Sequence, residues 1–476
     1  MDATATPTAT PTPTTLELAR AWADMDPNES TKQYVMSLVE RSESQSQSES
    51  QSQAQQELEA LFPSDGSRIG FGTAGLRSAM KPGPLNMNDL VIVQTTQGLA
   101  RYCQQIAKEN EKDNEKLVAV IGYDHRSNPD LNLSSHRFAM LTKLAFLEAG
   151  FDECILFSGY GNGYCATPHV AYGVTKCNAA VGVMVTASHN PKDDAGFKVY
   201  WSDGCQIRSP VDEGIAKCIL EQDNLNPWID YGLALKDRIK GMCSDGNGNG
   251  DINSSYGLGN VDATKEVIDD YYRAIASSGL VISDDDDETK NEHAQEKAPK
   301  MCYTAMHGIG HKWAVKSFET FGLEPFASVP EQQEPDYLFS TVPFPNPEEN
   351  GALDKAMEFA EMSGCDLILA NDPDADRLAV AERCRKTGEW TTFTGDQIGT
   401  MLGLRIWNTI GKSCGKVSFR FLLFLSCSSP SFVLIDVIVT INFCTYASHH
   451  RFFSSNSRSQ CVHQQYLPRC WQELRM

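Results

Sequence analysis

Three aspartates, Asp372, Asp374 and Asp376, alternate through the segment NDPDADR at residues 371–377, directly after the apolar run CDLILA. Carboxylates spaced this way along a turn at a strand end can converge on one hard cation. A small set of oxygen ligands with room left for a phosphate suits Mg²⁺. The adjacent Arg377 could contact a phosphate bound to that metal. An acidic Asp-Pro turn with no ligand is the plainer alternative. An EF-hand is excluded by spacing: its sixth position, which needs Gly, is Arg377, and its twelfth is Arg383. The polar run starting at Asp245 fails the same test because its twelfth position is Tyr256.

The next segment with chemical potential is TASHNPKDDAGFKVYW, residues 186–201, which follows the apolar run VGVMV. Ser188, flanked by small residues at a strand-to-loop transition, can present its hydroxyl outward as a nucleophile. His189, Asn190 and the neighbouring backbone N–H groups could support a phosphate there. Lys198 could return a cation to the same loop, although lysines at strand ends are usually solvated. A surface turn of the Ser-x-Asn-Pro kind reads equally well from these residues alone.

RIGFGTAGLRSAM, residues 68–80, offers Gly70, Gly72 and Gly75 for close backbone approach to an anion and Arg77 as a forked donor. No Gly-Lys-Ser/Thr follows, and no dinucleotide fingerprint is present, so nucleotide binding is disfavoured. A chain-reversing glycine turn is the alternative. Weaker pointers are GYDHRSNP at 122–129, with Asp124, His125 and Arg126 either shaping a cleft or capping a helix, and TAMHGIG at 304–310, where His307 is a ligand contact or a structural histidine. FTGDQIG at 393–399 reads as a turn into a helix capped by Asp396.

These segments need a frame. From Leu61 onward short β-rich runs (Leu117–Tyr123, Cys154–Phe157, Val181–Thr186, Asp366–Ala370) alternate with helical patterns such as Ser134–Ala149. That alternation predicts α/β layers on a mainly parallel or mixed sheet, with reactive groups in loops at the carboxyl ends of strands. Leu16–Leu38 reads as a pair of short helices. The Thr/Pro/Ala repeat at 1–15 and the Ser/Gln run at 42–56 read as solvated linker, with order resuming at Leu61. The polar stretches Ser244–Asn260 and Ser283–Lys297 read as surface excursions.

At 476 residues the chain has room for two to four domains, at roughly 100–200 residues each. Its formal charge of −21 repels a phosphate backbone and argues against nucleic acid as a partner. Fifteen scattered cysteines, with no CxxC pair, fit reduced thiols. The start has neither a secretory nor a transit signature, so the expected address is the cytoplasm. The apolar stretch Val417–Cys444 is broken by Arg420, Pro430 and Asp436; neither half reaches the roughly 20 residues a bilayer span requires, so no membrane association is expected.

Taken in order, GTAGLR, GYDHRSNP, TASHNPKDDAGFKVYW and NDPDADR resemble the motif series of the α-D-phosphohexomutases, and their wording is nearest the phosphoglucomutase-2/phosphopentomutase group. The resemblance runs from about residue 61 to about residue 416. It implies tandem α/β domains, each a mixed sheet sandwiched by helices, with a cleft between them. The implied boundaries are 61–232 for a first domain carrying the phosphoserine loop, 257–390 for a second carrying the metal loop, and 391–416 for the start of a third; residues 1–60 form a disordered or helical extension. By resemblance Ser188 carries the transferred phosphoryl group, and its oxygen with Asp372, Asp374 and Asp376 holds Mg²⁺. Arg77 and Lys198 match the groups that assist proton transfer and charge handling, and His189, beside the nucleophile, completes the expected catalytic set. Thr73, Gly75, Arg77, Arg126, Asn190 and Arg377 match substrate contacts. The implied reaction interconverts a sugar 1-phosphate with a sugar 6-phosphate, or a pentose 5-phosphate, through a bisphosphate; a sugar bisphosphate of the glucose 1,6-bisphosphate type is the primer. A monomer acting on a small phosphosugar is expected.

After Gly415 the α/β pattern gives way to VSFRFLLFLSCSSPSFVLIDVIVTINFC and the residues beyond it, where neither the sugar-reading loop nor the Ser/Thr-Gly-Thr phosphate loop of the family is found. The expectation is a truncated mutase with an unrelated tail at 417–476 and no fourth domain. Two other classes stay open: a non-catalytic sugar-phosphate-binding or regulatory remnant, and a metal-dependent phosphatase using the Asp cluster without Ser188.

Overall fold

The computed structural model describes residues 13–44, 49–111, 115–157, 163–243, 261–277 and 299–406. The Ser244–Asn260 stretch, the Ser283–Lys297 stretch and the 417–476 tail lie outside the described residues, as do residues 1–12 of the N-terminal repeat.

Three helices come first: α1 (Thr15–Met25), α2 (Glu29–Glu43) and α3 (Glu49–Leu61). Thr14 and Glu17 form a capping box that starts α1, and Asn28 caps α2. The third helix corrects the reading of 42–56 as linker. Ser and Gln are tolerated in helices, and Ala54, Leu58 and Leu61, spaced four and three apart, bury one face of α3 against Trp22, Val35, Leu38 and Phe62.

The next elements are β1 (Leu76–Ala79), α4 (Asp89–Glu109), β2 (Val118–Tyr123), the small hairpin β3 (Ser127–Asn128) and β4 (Leu133–Ser134), α5 (Ser135–Glu148), β5 (Glu153–Leu156), α6 (Thr167–Lys176), β6 (Val181–Val185), β7 (Asp194–Trp201), α7 (Val211–Ile219), α8 (Gln222–Leu225) and α9 (Tyr231–Cys243). Five strands form a mixed sheet in the order β1-β7-β6-β2-β5, in which β2 runs parallel to β5 and β6 while β7 is antiparallel to β6 and β1. Side chains alternate across it. Ala119, Ile121 and Tyr123 face the core shared with α4 and α5, and Val118 and Val120 face the core shared with α6.

The remaining elements are α10 (Val261–Ala276), β8 (Met301–Thr304), α11 (Gly310–Thr320), β9 (Ala327–Ser328), α12 (Asp354–Ser363), β10 (Leu367–Asn371), β11 (Leu378–Arg383), β12 (Trp390–Phe393) and α13 (Gly395–Ile406). The second sheet repeats the first pattern: order β12-β11-β10-β8-β9, with β8, β9 and β10 parallel and β11 antiparallel to β10 and β12. The cap of α13 is Thr394, whose hydroxyl accepts the Gln397 N–H while Gln397 returns a bond to the Thr394 N–H; Asp396, the cap expected from sequence, sits inside the first turn. Helix α10 serves both halves: Val267 joins the core of the first sheet, and Tyr271, Tyr272 and Ile275 pack with Ala166 of the first half and Trp313 of the second.

The repeat has one consequence for chemistry. The loop from β6 to β7 carries Ser188 and the loop from β10 to β11 carries the three aspartates, so both sit at the same topological position, where a parallel strand hands over to its antiparallel neighbour.

Candidate active site

Strand β6 is buried along its whole length, so its end fixes where the following loop begins. Thr186 N–H bonds the Gly196 carbonyl across the hairpin, and the Thr186 hydroxyl accepts the Ser188 N–H at 2.9 Å. Ser188 itself has φ +54, a left-handed backbone that a small unbranched residue tolerates best. Below the loop lies Arg126. Its guanidinium donates to the carbonyls of Ser188 (2.7 Å), Asn190 (2.7 Å), Pro191 (2.6 Å) and Asp194 (3.1 Å), while Nε makes an ion pair with Asp124 at 3.3 Å without a hydrogen bond.

The facing loop is shaped by Ala375, at φ +56, and by the bond from Ala375 N–H to the Asp372 carbonyl. Asp372 Oδ1 accepts N–H groups of Asp376 (3.2 Å) and Arg377 (2.9 Å). The TAMHGIG segment packs beneath: Ile309 N–H bonds the Pro373 carbonyl, and a Cβ on Gly308 would stand 2.4 Å from Pro373 Cα, so only glycine fits. His307 accepts the Thr341 N–H on Nε2 and is a satisfied structural histidine.

The two loops meet. Ser188 Oγ donates to Asp372 Oδ2 at 2.8 Å, although 184 positions separate them. The hydroxyl is turned inward, with the residue 2% exposed, which corrects the outward presentation expected from sequence. His189 Nδ1 lies 3.4 Å from Ser188 Oγ. Lys198 Nζ bridges Asp374 Oδ2 (2.6 Å) and Asp376 Oδ2 (2.5 Å). Asp374 Oδ2 also accepts the Thr167 hydroxyl, whereas Asp374 Oδ1 is buried without a partner.

Electrostatics follow from this crowding. Burial, then the charges of Asp374 and Asp376, push the Asp372 carboxyl well above the usual carboxylate range. Burial pushes Asp374 the same way, but the Lys198 ammonium and the hydrogen bonds from Lys198 and Thr167 outweigh it and hold Asp374 below that range. Burial works against the Lys198 charge, and Asp374 and Asp376 more than offset it, so its pKa is raised and it is a fixed cation. Burial, then the Arg377 and Arg77 guanidinium groups, lower His189 to about 4, leaving it neutral at pH 7.

The carboxylates can hold a divalent metal. One oxygen from each of Asp372, Asp374 and Asp376 lies within 4.8 Å of the others, and the unpartnered Asp374 Oδ1 is a buried acceptor with a lone pair to give. A divalent ion would also relieve the repulsion that raises Asp372.

Two models of consecutive domains match this chain: phosphoglucomutase/phosphomannomutase alpha/beta/alpha domain I over residues 68–226 and domain II over residues 281–387. Curated relatives agree, among them a phosphopentomutase of Homo sapiens (38% identical over 80% of this chain and 54% of the relative) and a phosphoribomutase of Saccharomyces cerevisiae (39% over 79% and 54%). The chain belongs to the α-D-phosphohexomutase superfamily. A glucose 1,6-bisphosphate synthase of Homo sapiens is 37% identical over 71% of the chain and 48% of that relative. The chain thus spans about half the length of the curated relatives it matches. A solved structure from Thermus thermophilus has the same fold, with a TM-score of 0.50 at 19% identity over 72% of this chain and 62% of that one. Among the described residues no helix is long and apolar enough to cross a membrane.

Within this phosphohexomutase frame the structure gathers Ser188, His189, Lys198, Asp372, Asp374 and Asp376, and links Arg77 to the Ser188 loop through Asn190 Oδ1 at 3.0 Å. Asn190 is further tied to Asp194. Arg377 stays half-exposed, its Nε 4.0 Å from Asp372. For three of the expected substrate contacts the structure shows what else the residue does. Arg126 is buried with its outer nitrogens spent on loop carbonyls, so it positions the loop. Gly75, at φ +72, lies so close to β7 that a Cβ would stand 1.9 Å from the Phe197 carbonyl oxygen, so its glycine serves strand packing. Thr73 is exposed and its carbonyl accepts from Gln206. Thr167, which also joins the site, carries no sequence signal beyond a Thr-Pro pair at a helix start.

Proposed function

We propose that this chain carries the phosphoserine and metal-binding half of a phosphosugar mutase, acting on a hexose or pentose phosphate, with Mg²⁺ as the cation and a bisphosphate of the glucose 1,6-bisphosphate type as primer. The observation that carries the reading is the 2.8 Å contact between Ser188 Oγ and Asp372 inside a cluster of three carboxylates. The names of the relatives, phosphopentomutase and phosphoribomutase among them, support a sugar phosphate as substrate.

In this reading Ser188 bears a phosphoryl group. A sugar hydroxyl attacks its phosphorus and gives up its proton, the bond to Ser188 Oγ breaks as Oγ takes up a proton and becomes a hydroxyl, and a bisphosphate forms. After the bisphosphate reorients, the Ser188 hydroxyl attacks the other phosphorus and gives up its proton, and the sugar oxygen that leaves takes one up. Bound Mg²⁺ would neutralise charge on the transferring phosphoryl oxygens, held by Asp372, Asp374, Asp376 and Ser188. Lys198 supplies fixed positive charge, Arg77 supplies a forked donor beside the loop, and neutral His189 stands 3.4 Å from Ser188 Oγ, whose own proton is directed to Asp372.

The 2% exposure of Ser188 favours a second reading, in which the chain binds a sugar phosphate without turnover. One experiment separates them. The folded chain, incubated with Mg²⁺ and glucose 1,6-bisphosphate, gains one phosphoryl group by intact mass, located on Ser188, and Ser188→Ala gains none. A folded wild type that stays unlabelled refutes the mutase reading. Hydrolysis of sugar phosphate that persists in Ser188→Ala points to a phosphatase instead.

A further inference from the structure

Helix α6 belongs to the first half of the molecule, yet its first turn is completed by the second. Its N-cap, Ala166, has no side chain with which to satisfy a backbone donor, and Thr167 and Pro168 occupy the first helical positions. The partner comes from the metal loop: the Asp374 carbonyl accepts the Thr167 N–H at 3.1 Å. The side chains meet as well, with Thr167 Oγ1 donating to Asp374 Oδ2 at 2.6 Å across 207 positions of sequence.

The pairing is selective between the two oxygens of that carboxylate. Oδ2 receives both the Thr167 hydroxyl and the Lys198 ammonium, and Oδ1 receives nothing and is buried. Two donors from different elements, α6 and β7, fix the carboxylate plane, because a single donor would leave it free to turn about Cβ–Cγ. Fixing Oδ2 in this way reserves Oδ1 as the atom available to a cation. Groups that orient a ligand without touching the metal commonly contribute 10–100-fold to metal affinity.

We propose that Thr167 is a positioning residue for Asp374: its hydroxyl locks the carboxylate in the orientation that ligates a divalent cation, and so couples α6 of the first half to the metal loop of the second. The proposal rests on the metal site of the mutase reading, and its test keeps the two apart. In Thr167→Val the shape and the backbone N–H are retained while the hydroxyl is lost; Thr167→Ser keeps the hydroxyl.

The test is calorimetric titration of the full-length chain with Mn²⁺. The expected result is a 10–100-fold rise in Kd for Thr167→Val, with Thr167→Ser at the wild-type value. A Thr167→Val protein that melts lower but binds Mn²⁺ like the wild type would overturn the positioning role while leaving the mutase reading standing. A folded wild type that binds no Mn²⁺ would overturn both. Should Thr167→Val lose its near-ultraviolet circular dichroism, Thr167→Ala, which introduces no methyl clash with Asp374, is read in its place against the same two outcomes.

Discussion

Replacing Arg126 with methionine tests how the Ser188 loop is held. The guanidinium is fully buried, donates to four carbonyls between Ser188 and Asp194, pairs with Asp124 and lies 5.1 Å from the centre of the Phe339 ring. Summing four charge-assisted bonds at about 1.5–3 kcal/mol each would overshoot, because the loop can relax and admit water once the side chain is gone. The firmer guide is the loss of one partner from a buried ion pair, about 3–5 kcal/mol, since Asp124 is left charged and enclosed. At roughly 2–4 °C per kcal/mol for a unit of this size, Arg126→Met should melt about 6–20 °C below the wild type. Adding Asp124→Asn removes the stranded charge and should restore part of that loss, a positive coupling in a double-mutant cycle. The loop should also open locally, so trypsin cuts faster after the exposed Lys192. Melting within about 2 °C of the wild type, with unchanged cleavage at Lys192, would refute the idea that Arg126 holds this loop.

Two further outcomes follow from buried charge elsewhere. Burial, then the nearby Asp89 carboxylate, raise the Asp26 carboxyl from 3.8 to about 7, against opposing bonds from Thr31 and Asn28 and the charge of Arg137. The folded state therefore holds this proton more firmly than the unfolded one, so its contribution is intact below about pH 4 and is lost as pH rises through about 7, by at most about 4 kcal/mol. Urea unfolding should show wild-type stability falling relative to Asp26→Asn between pH 4.5 and 8, and parallel curves for the two proteins would sink this assignment. Lys198→Met leaves Asp374 and Asp376 without their cation. Its melting temperature without metal should drop, and saturating Mg²⁺ should raise it by more than it raises the wild type, because removing a positive charge beside the trio strengthens its attraction for a cation by more than the lost Oδ2 bond loosens Asp374; an equal or smaller rise would contradict that role.

Much of the frame was legible because the strands that matter are continuous apolar runs with abrupt polar ends. VGVMV and CDLILA become β6 and β10 within a residue of where the sequence places them, and the chemistry-bearing turns follow at once. The candidate nucleophile and the acidic trio were legible as residue types, but their meeting was not, since it depends on tertiary contacts between the two halves. Arg126 illustrates the limit. From its place after a strand Arg126 reads as shaping a cleft or capping a helix, and only tertiary packing reveals that its donors end on the loop that carries Ser188. Thr167 was invisible for the same reason, its partner being 207 positions away. The Ser/Gln segment failed differently: its composition resembles a solvated linker, and three apolar residues at helical spacing outweigh that once Trp22 and Phe62 offer a surface to cover.

If the Ser188 loop and the trio of aspartates share one divalent ion, anomalous diffraction from a crystal of the chain soaked in Mn²⁺ will locate it. The predicted result is a single peak coordinated by oxygens of Asp372, Asp374 and Asp376, with Ser188 Oγ within ligand distance, about 2–2.5 Å for hard cations of this kind. A peak bound elsewhere, or an ordered and metal-free trio at saturating Mn²⁺, would contradict it.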